Sequence, residues 1–274
     1  MSFVEATDGT PIYYRDWGEG ETVMFSHGWP VNSDFWEPQM LYLARHGYRV
    51  IAFDRRGHGR SGQPWNGYTN NQFADDLREI IESLGVTKAT LVGHAMGAGE
   101  IARYVGRYGT DRVTRMAFVS GVPPLMVRTT SNPIGLPISV FDYLRMGLIS
   151  NRAQFYWNLS VPYFGYNRSS CHIGQWSRKQ FVRLSLQSSI KASFDCIKQF
   201  SEDDFTQDLK RIDVPTLFLH GEDDQIVPVQ SSAIVCAQIV TQCRLRVIAE
   251  GTHGLPATHP NIVNQELLSF FQTT

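Results

Sequence analysis

The chain has 274 residues, 42% of them hydrophobic, and 25 Lys and Arg against 26 Asp and Glu give a net charge of −1. That length suits one large domain, or one domain with an inserted lid, and the even charge argues against a general affinity for nucleic acid or an anionic membrane. No apolar run is long enough to span a bilayer, and the N-terminal MSFVEATDGTPIYY lacks the basic-then-apolar pattern of a signal peptide.

Four cysteines (Cys171, Cys196, Cys236 and Cys243) form neither a CxxC pair nor a Cys/His metal spacing. The expectation is a cytoplasmic protein with free thiols and no metal. From the N-terminus, PIYYRDWG and ETVMFSHG read as a leading pair of strands. DFWEPQMLYLARHG reads as a helix stopped by Gly47, and YRVIAFDRRG as a strand. In NNQFADDLREIIESLG, Phe73, Leu77, Ile80, Ile81 and Leu84 recur at helical spacing, and Gly85 is a C-terminal stop. KATLVGH is a strand, the helix after it runs to about Tyr108, and VTRMAFVSG is another strand. This alternation predicts an α/β protein with a mostly parallel sheet covered by helices on both faces.

The alternation breaks after Val122. Residues 123–204 carry VPP, NPIGLP and VPYFGYNRSS, with aromatics scattered among helical segments. It resumes with a strand at Thr216–His220, a helix near 229–241, the strand CRLRVIAEG and a last helix over 260–272. The reading is a core made of 1–122 and 205–274, with a helical cap over 123–204. Ligands of parallel sheets bind at the carboxyl ends of the strands, so the cap should lie over the turn between KATLVGH and the next helix.

That turn is Gly93-His94-Ala95-Met96-Gly97. It has the frame of a nucleophile elbow, Gly-x-nucleophile-x-Gly, whose sharp strand-to-helix turn lifts a serine oxygen above the sheet. The apex here is Ala95, whose methyl group cannot attack anything. The other members of a hydrolase triad follow in the chain order nucleophile, acid, histidine. Asp224 in HGEDDQIVP is the candidate acid, with Asp223 as its rival, and His253 in AEGTHGL is the candidate histidine. His253 would take the nucleophile's proton, while Asp224 would fix the ring's tautomer and stabilise its cation. The backbone N–H groups of Met96 and of Trp29 in SHGWP would form an oxyanion hole. His58, His94, His172, His220 and His259 read as structural or exposed, and His27 as loop support.

These features together resemble the α/β-hydrolases of the cofactor-free haloperoxidase group, whose members are esterases and perhydrolases. The resemblance spans nearly the whole chain and is carried by DGTPIYYRDWG, SHGWPVNSDFWEPQM, AFDRRGHGRSGQP, VSGVPPLM, FDCIKQFSEDDFTQDLKRIDVPTLFLHGEDDQIVP and THGLPATHP. The elbow matches except at its apex, where Ala95 stands at the family's serine position. The resemblance implies an α/β-hydrolase fold: a mostly parallel eight-stranded sheet flanked by helices, with a helical cap inserted after the sixth strand. It also implies Ser-His-Asp acyl-enzyme chemistry on small apolar esters, a perhydrolase or haloperoxidase side activity, and no cofactor.

The cap stretch NRSSCHIGQWSRKQFVRLSLQSSIKASF matches the family less well and leaves the substrate open among esters, lactones and amides. Val122, Leu125, Ile134, Ile138, Phe141, Phe155, Trp157 and Tyr163 are the expected pocket lining. Pro30, which restricts the backbone of Trp29, is expected to aim the Trp29 carbonyl at a bound peroxide. Ala95 reads as a deliberate Ser→Ala replacement in an active enzyme, with a natural non-catalytic fold kept for binding a ligand, or another chemistry, as the alternatives. A homo-oligomer is compatible with all of them.

Overall fold

The computed structural model describes residues 2–122 and 124–272; Pro123, where the cap is expected to begin, lies outside them. The first half of the chain lays down strands β1 (Ser2–Glu5), β2 (Pro11–Trp17) and β3 (Glu21–Ser26), helix α1 (Glu37–Ala44) and strand β4 (Tyr48–Phe53). Helix α2 (Asn70–Ser83), strand β5 (Ala89–His94), helix α3 (Met96–Tyr108) and strand β6 (Val113–Val119) follow. Helices α4 (Ile138–Phe164), α5 (Gln175–Leu186), α6 (Ile190–Ser201) and the short α7 (Thr206–Leu209) come next. The chain closes with β7 (Thr216–Gly221), α8 (Ala233–Ile239), β8 (Cys243–Ile248), the short α9 (Leu255–Thr258) and α10 (Pro260–Gln272).

The eight strands form one sheet in the order β1-β2-β4-β3-β5-β6-β7-β8. Only β2 runs against its neighbours; every pair from β4 to β8 is parallel. All six residues of β5 are buried, as expected where helices cover both faces of a parallel strand. Along β3 the side chains alternate between layers. Met24 joins Leu77, Ile80 and Ile101 of α2 and α3, while Val23 and Phe25 join Met40, Leu43 and Leu267 of α1 and α10. A third apolar cluster lies beyond the carboxyl ends of the strands, where Trp29, Phe73 and Met96 meet Phe141, Phe155, Tyr163 and Phe200 from α4 and α6.

Four local expectations need correction. The short SFVE, outside the expected elements, forms β1 and pairs with β2. The expected leading pair are not neighbours, because β4 lies between β2 and β3. The first helix starts later than its apolar pattern suggests. Asn32 accepts the Asp34 N–H and caps a 3₁₀ turn over Ser33–Trp36, and the α-helix begins only with Pro38 in its first turn. The helix expected near 229–241 is broken at Ser232 (φ −119°, ψ −99°), whose hydroxyl donates to the Gly121 carbonyl.

Candidate active site

The turn after β5 holds Ala95 at φ 49°, ψ −116°. A side chain at such an angle costs about 1–3 kcal/mol unless its surroundings hold it there. Here they do. The Ala95 N–H donates to the Val119 carbonyl, and the Ala95 carbonyl accepts from Ala98 and Val122, each at 3.1 Å. A Cβ on Gly93 would collide with the Gly97 carbonyl, and one on Gly97 with the Ser26 carbonyl. Both glycines are therefore required by close backbone approach, and the apex methyl sits above the sheet with 5% exposure.

Two loops at neighbouring strand ends bring the acid and the histidine together. His253 Nδ1 lies 2.8 Å from Asp224 Oδ2. The other carboxylate oxygen accepts the backbone N–H groups of Ile226 (2.9 Å) and Val227 (2.7 Å). His220 Nε2 is 3.2 Å from Asp224 Oδ2 and 2.8 Å from the Val227 carbonyl. A carbonyl only accepts, so this nitrogen carries the proton. Burial by itself would raise the Asp224 carboxyl, but the neighbouring His253 and the bonds from His220 and His253 bring it well below the ordinary carboxylate range. Asp223 points elsewhere, into a two-pronged pair with Arg168 at 2.7 Å for each bond.

The remaining histidines are mostly scaffold. His94 Nε2 donates to the His253 carbonyl at 2.9 Å, and burial lowers this ring to about 3. His58 is also buried and lowered to about 3, chiefly by desolvation. His27 accepts the Arg55 N–H at 2.9 Å and lies 2.9 Å from the Gly28 carbonyl, which holds the loop before Trp29. His172 and His259 border a shallow hollow beside Gly165. Sequence reading missed the buried pair beneath this loop. Arg55 bonds Glu100 at 2.6 Å and the His27 carbonyl at 2.7 Å. Arg55 follows β4, and Glu100 sits one turn into the helix after the elbow, 45 residues away.

A cavity of about 310 Å³ opens above Ala95. Trp29, Ala95, Met96, Val122 and His253 form its floor. Of the expected lining, Val122, Phe141 and Tyr163 border it. The walls that sequence reading missed are Met126, Leu136, Val140, Leu144, Leu159 and Phe200, with Gln225, Ile226 and Val227 beside the acid.

Several expected lining residues lie elsewhere. Ile134 and Ile138 face outward at 59% and 45% exposure. Leu125 is buried behind the wall, its carbonyl bonded by Asn132. Phe155 packs against the Trp29 ring (6.3 Å between centroids) and Gly147. Trp157 lies under the Arg178 guanidinium at 3.9 Å. Pro30 is buried, joined to Trp29 by a cis peptide bond, and does not border the cavity. For Phe155 and Trp157 the physical reason lies in α4. Asn151 leaves the helical conformation (φ −156°, ψ 91°) and accepts the Gln154 N–H, so the helix restarts with a different facing. Val140, Phe141 and Leu144 face the cavity from the first half, and Leu159 and Tyr163 from the second. Among the described residues, no three or more His, Cys, Asp and Glu side chains gather as a metal-binding set, and no helix is long and apolar enough to cross a membrane.

A strained strand-to-helix turn beside an Asp–His pair, on a mostly parallel eight-stranded sheet, defines a class. A family model described as the alpha/beta hydrolase fold matches residues 21–260, and the chain belongs to that family. Within it, the chain is 47% identical to a non-heme haloperoxidase of Rhodococcus erythropolis and 44% identical to a bifunctional esterase/perhydrolase of Acinetobacter calcoaceticus. Both similarities cover 100% of both proteins. A crystal structure of a bromoperoxidase from Bacillus anthracis superimposes with a TM-score of 0.96 at 35% identity, covering 99% of each chain.

Proposed function

We propose that this cavity is the site of a carboxylic ester hydrolase of the esterase/perhydrolase type, disarmed at its nucleophile by Ala95. The observation that carries the reading is the 2.8 Å His253–Asp224 bond beside an apex residue held at the strained elbow angle, at the floor of an apolar cavity. The names of the Rhodococcus erythropolis and Acinetobacter calcoaceticus relatives support the same chemistry.

In a form with serine at position 95, the hydroxyl would lose its proton to His253 Nε2 and attack the ester carbonyl. The Met96 and Trp29 N–H groups would stabilise the oxyanion, and His253 would then return the proton to the leaving alcohol. Asp224 would hold the ring with its Nδ1 proton inward and offset the imidazolium charge. Water activated by His253 would release the acid. Hydrogen peroxide in its place would give a peracid, with the Trp29 carbonyl accepting a hydrogen bond from the peroxide. A Pro30→Leu change in the serine form should lower the ratio of peracid formation to hydrolysis; an unchanged ratio would remove Pro30 from this scheme.

Loss of a triad nucleophile costs about a millionfold in rate, so the Ala95 chain is expected to be nearly inert. The test is Ala95→Ser, assayed with p-nitrophenyl acetate and butyrate beside the unmodified chain. A gain of several powers of ten, abolished by His253→Ala, is the expected result. No gain in a folded Ala95→Ser protein would overturn the reading.

A further inference from the structure

We infer that the outward face of α5, continued into the start of α6, docks on an anionic phospholipid surface. The inference is independent of the chemistry proposed at residue 95.

The even net charge of the chain hides an uneven distribution. Residues 123–204 carry nine Lys and Arg against five Asp and Glu, so the remainder carries sixteen against twenty-one. Asymmetry of this kind is a mark of binding to membranes or nucleic acid. The stretch 167–194, most of which matches the haloperoxidase group less well, concentrates the excess. It holds Arg168, Arg178, Lys179, Arg183 and Lys191 and no acidic residue. Arg168 is paired with Asp223 and Lys191 with Asp195, and the buried Arg178 guanidinium packs on the rings of Trp157 and Tyr166. Lys179 and Arg183 are exposed on α5, a helix without a single carboxylate.

The same face exposes large apolar side chains. Trp176, Lys179, Arg183 and Leu186 fall at i, i+3, i+7 and i+10, one stripe of α5 about 15 Å long, while Phe181, Leu184 and Ser185 turn inward. Trp176 is 71% exposed, with the Lys179 ammonium 4.1 Å from its ring centroid. Past the end of α5 the strip continues through the exposed Ile190 to Trp65, which is 73% exposed and has Lys191 5.2 Å from its ring centroid. The Trp65 loop is tied to this end of α5 by Gln63, whose side chain reaches the Gln187 carbonyl at 3.5 Å. Trp65 and Trp176 are the two most exposed of the six tryptophans. The basic side chains complement an anionic layer, while Trp, Leu and Ile gain only from an apolar medium beneath it. A bilayer of anionic phospholipid offers both within its headgroup region, where Trp rings settle and long basic side chains extend to the phosphates. Nucleic acid would meet the charges but leave Leu186 and Ile190 in water. A second copy of the strip would set positive charge against positive charge. Each basic residue near an anionic lipid surface is worth about a fivefold gain in binding.

The experiment is co-sedimentation of the unmodified chain with vesicles of phosphatidylglycerol and phosphatidylcholine in equal parts, and with vesicles of phosphatidylcholine alone. The mixed vesicles are expected to bind it at least about tenfold more tightly. Raising salt from about 0.1 M to about 1 M should remove most of that difference, because the Debye length falls to about 3 Å. Lys179→Gln with Arg183→Gln should weaken binding to the mixed vesicles about twentyfold or more, and Trp176→Ser with Trp65→Ser about tenfold or more. Lys88→Gln with Lys210→Gln, an equal change of charge outside the strip, should leave binding within about threefold. All these positions are exposed, so the variants are expected to fold. Equal binding to the two kinds of vesicle, or an unchanged affinity in the Lys179 and Arg183 double variant, would overturn the inference. Binding undiminished by loss of both tryptophans would also overturn it, since that marks a site for polyanions in general. A dimer seen by sedimentation velocity without lipid, and dissociated by the tryptophan substitutions, would give the strip to a second copy of the chain and overturn it as well.

Discussion

The floor of the cavity and the acid loop beside it come from five segments, each leaving the carboxyl end of a strand, whereas its other walls and roof come mostly from side chains of α4, α6 and the segment before α4. Three positions at the floor are pinned by bonds to the backbone: Ala95 to Val119, Ala98 and Val122, the Asp224 carboxylate to the Ile226 and Val227 N–H groups, and the His253 carbonyl to His94. The roof is held by aromatic and aliphatic contacts, with the break at Asn151 setting which face of α4 looks inward. The lesson is that the floor is built for geometry and the roof for shape. Changes to the floor should alter chemistry and folding, and changes to the roof should alter ligand choice.

The largest expected effect tests the floor. In the Ala95→Ser form, Asp224→Asn should lower kcat about 10⁴-fold, as loss of the orienting acid does in such triads. Asp223→Asn, which touches Arg168 instead, should change it less than about threefold. Steady-state kinetics on p-nitrophenyl butyrate decides. Equal losses from the two variants would mean that the floor geometry is wrong.

Acid should then loosen the floor before the roof. His27, His58 and His94 are buried beside the elbow, and all three are shifted below 6.5, mainly by desolvation. In the unfolded chain these rings take up protons below pH 6.5, while in the fold they stay neutral down to about pH 3 for His58 and His94. The unfolded state therefore binds more protons, and stability falls as pH drops through that window. Between pH 7.5 and 5.5 the loss should be about 4 kcal/mol for the three together. Urea midpoints at the two values measure it, and a flat profile would mean that the rings are not buried neutral.

A smaller effect separates the true roof from the expected one. Leu144→Ala and Phe141→Ala should raise KM for butyrate over acetate esters by about tenfold in the Ala95→Ser form, the scale of a lost hydrophobic contact. Ile134→Ala, at an exposed position, should leave both unchanged. The smallest effect concerns the link between the two regions. Arg168→Ala breaks an exposed pair with Asp223 and should leave stability nearly unchanged, because solvent screens such a pair. A larger loss in thermal unfolding would show that the roof is clamped to the acid loop more firmly than surface charge alone explains.

Much of the floor was legible in the sequence because its chemistry is local. A glycine on each side of Ala95, an acid in the loop after one strand and a histidine after the next announce themselves by spacing. The motif favours Asp224 but leaves Asp223 as a rival, since adjacent residues share it and only the direction of each carboxylate separates them. The buried Arg55–Glu100 pair was hidden for a related reason: its members are 45 residues apart and meet only through the sheet. In the cap, aromatic content misled. Trp157 and Phe155 are large and apolar, yet one is taken by Arg178 and the other by Trp29.

The sequence by itself determined the alternation of strands and helices, the elbow frame with its alanine apex and the order of acid and histidine, because each rests on short-range periodicity or on residue chemistry at one turn. The tertiary structure decided the strand order, the pairing of Asp224 rather than Asp223 with His253, and the facing of each cap side chain. Those depend on contacts between residues far apart in the chain and on the phase of a helix broken at Asn151, where a small rotation exchanges a cavity wall for a solvent-exposed face.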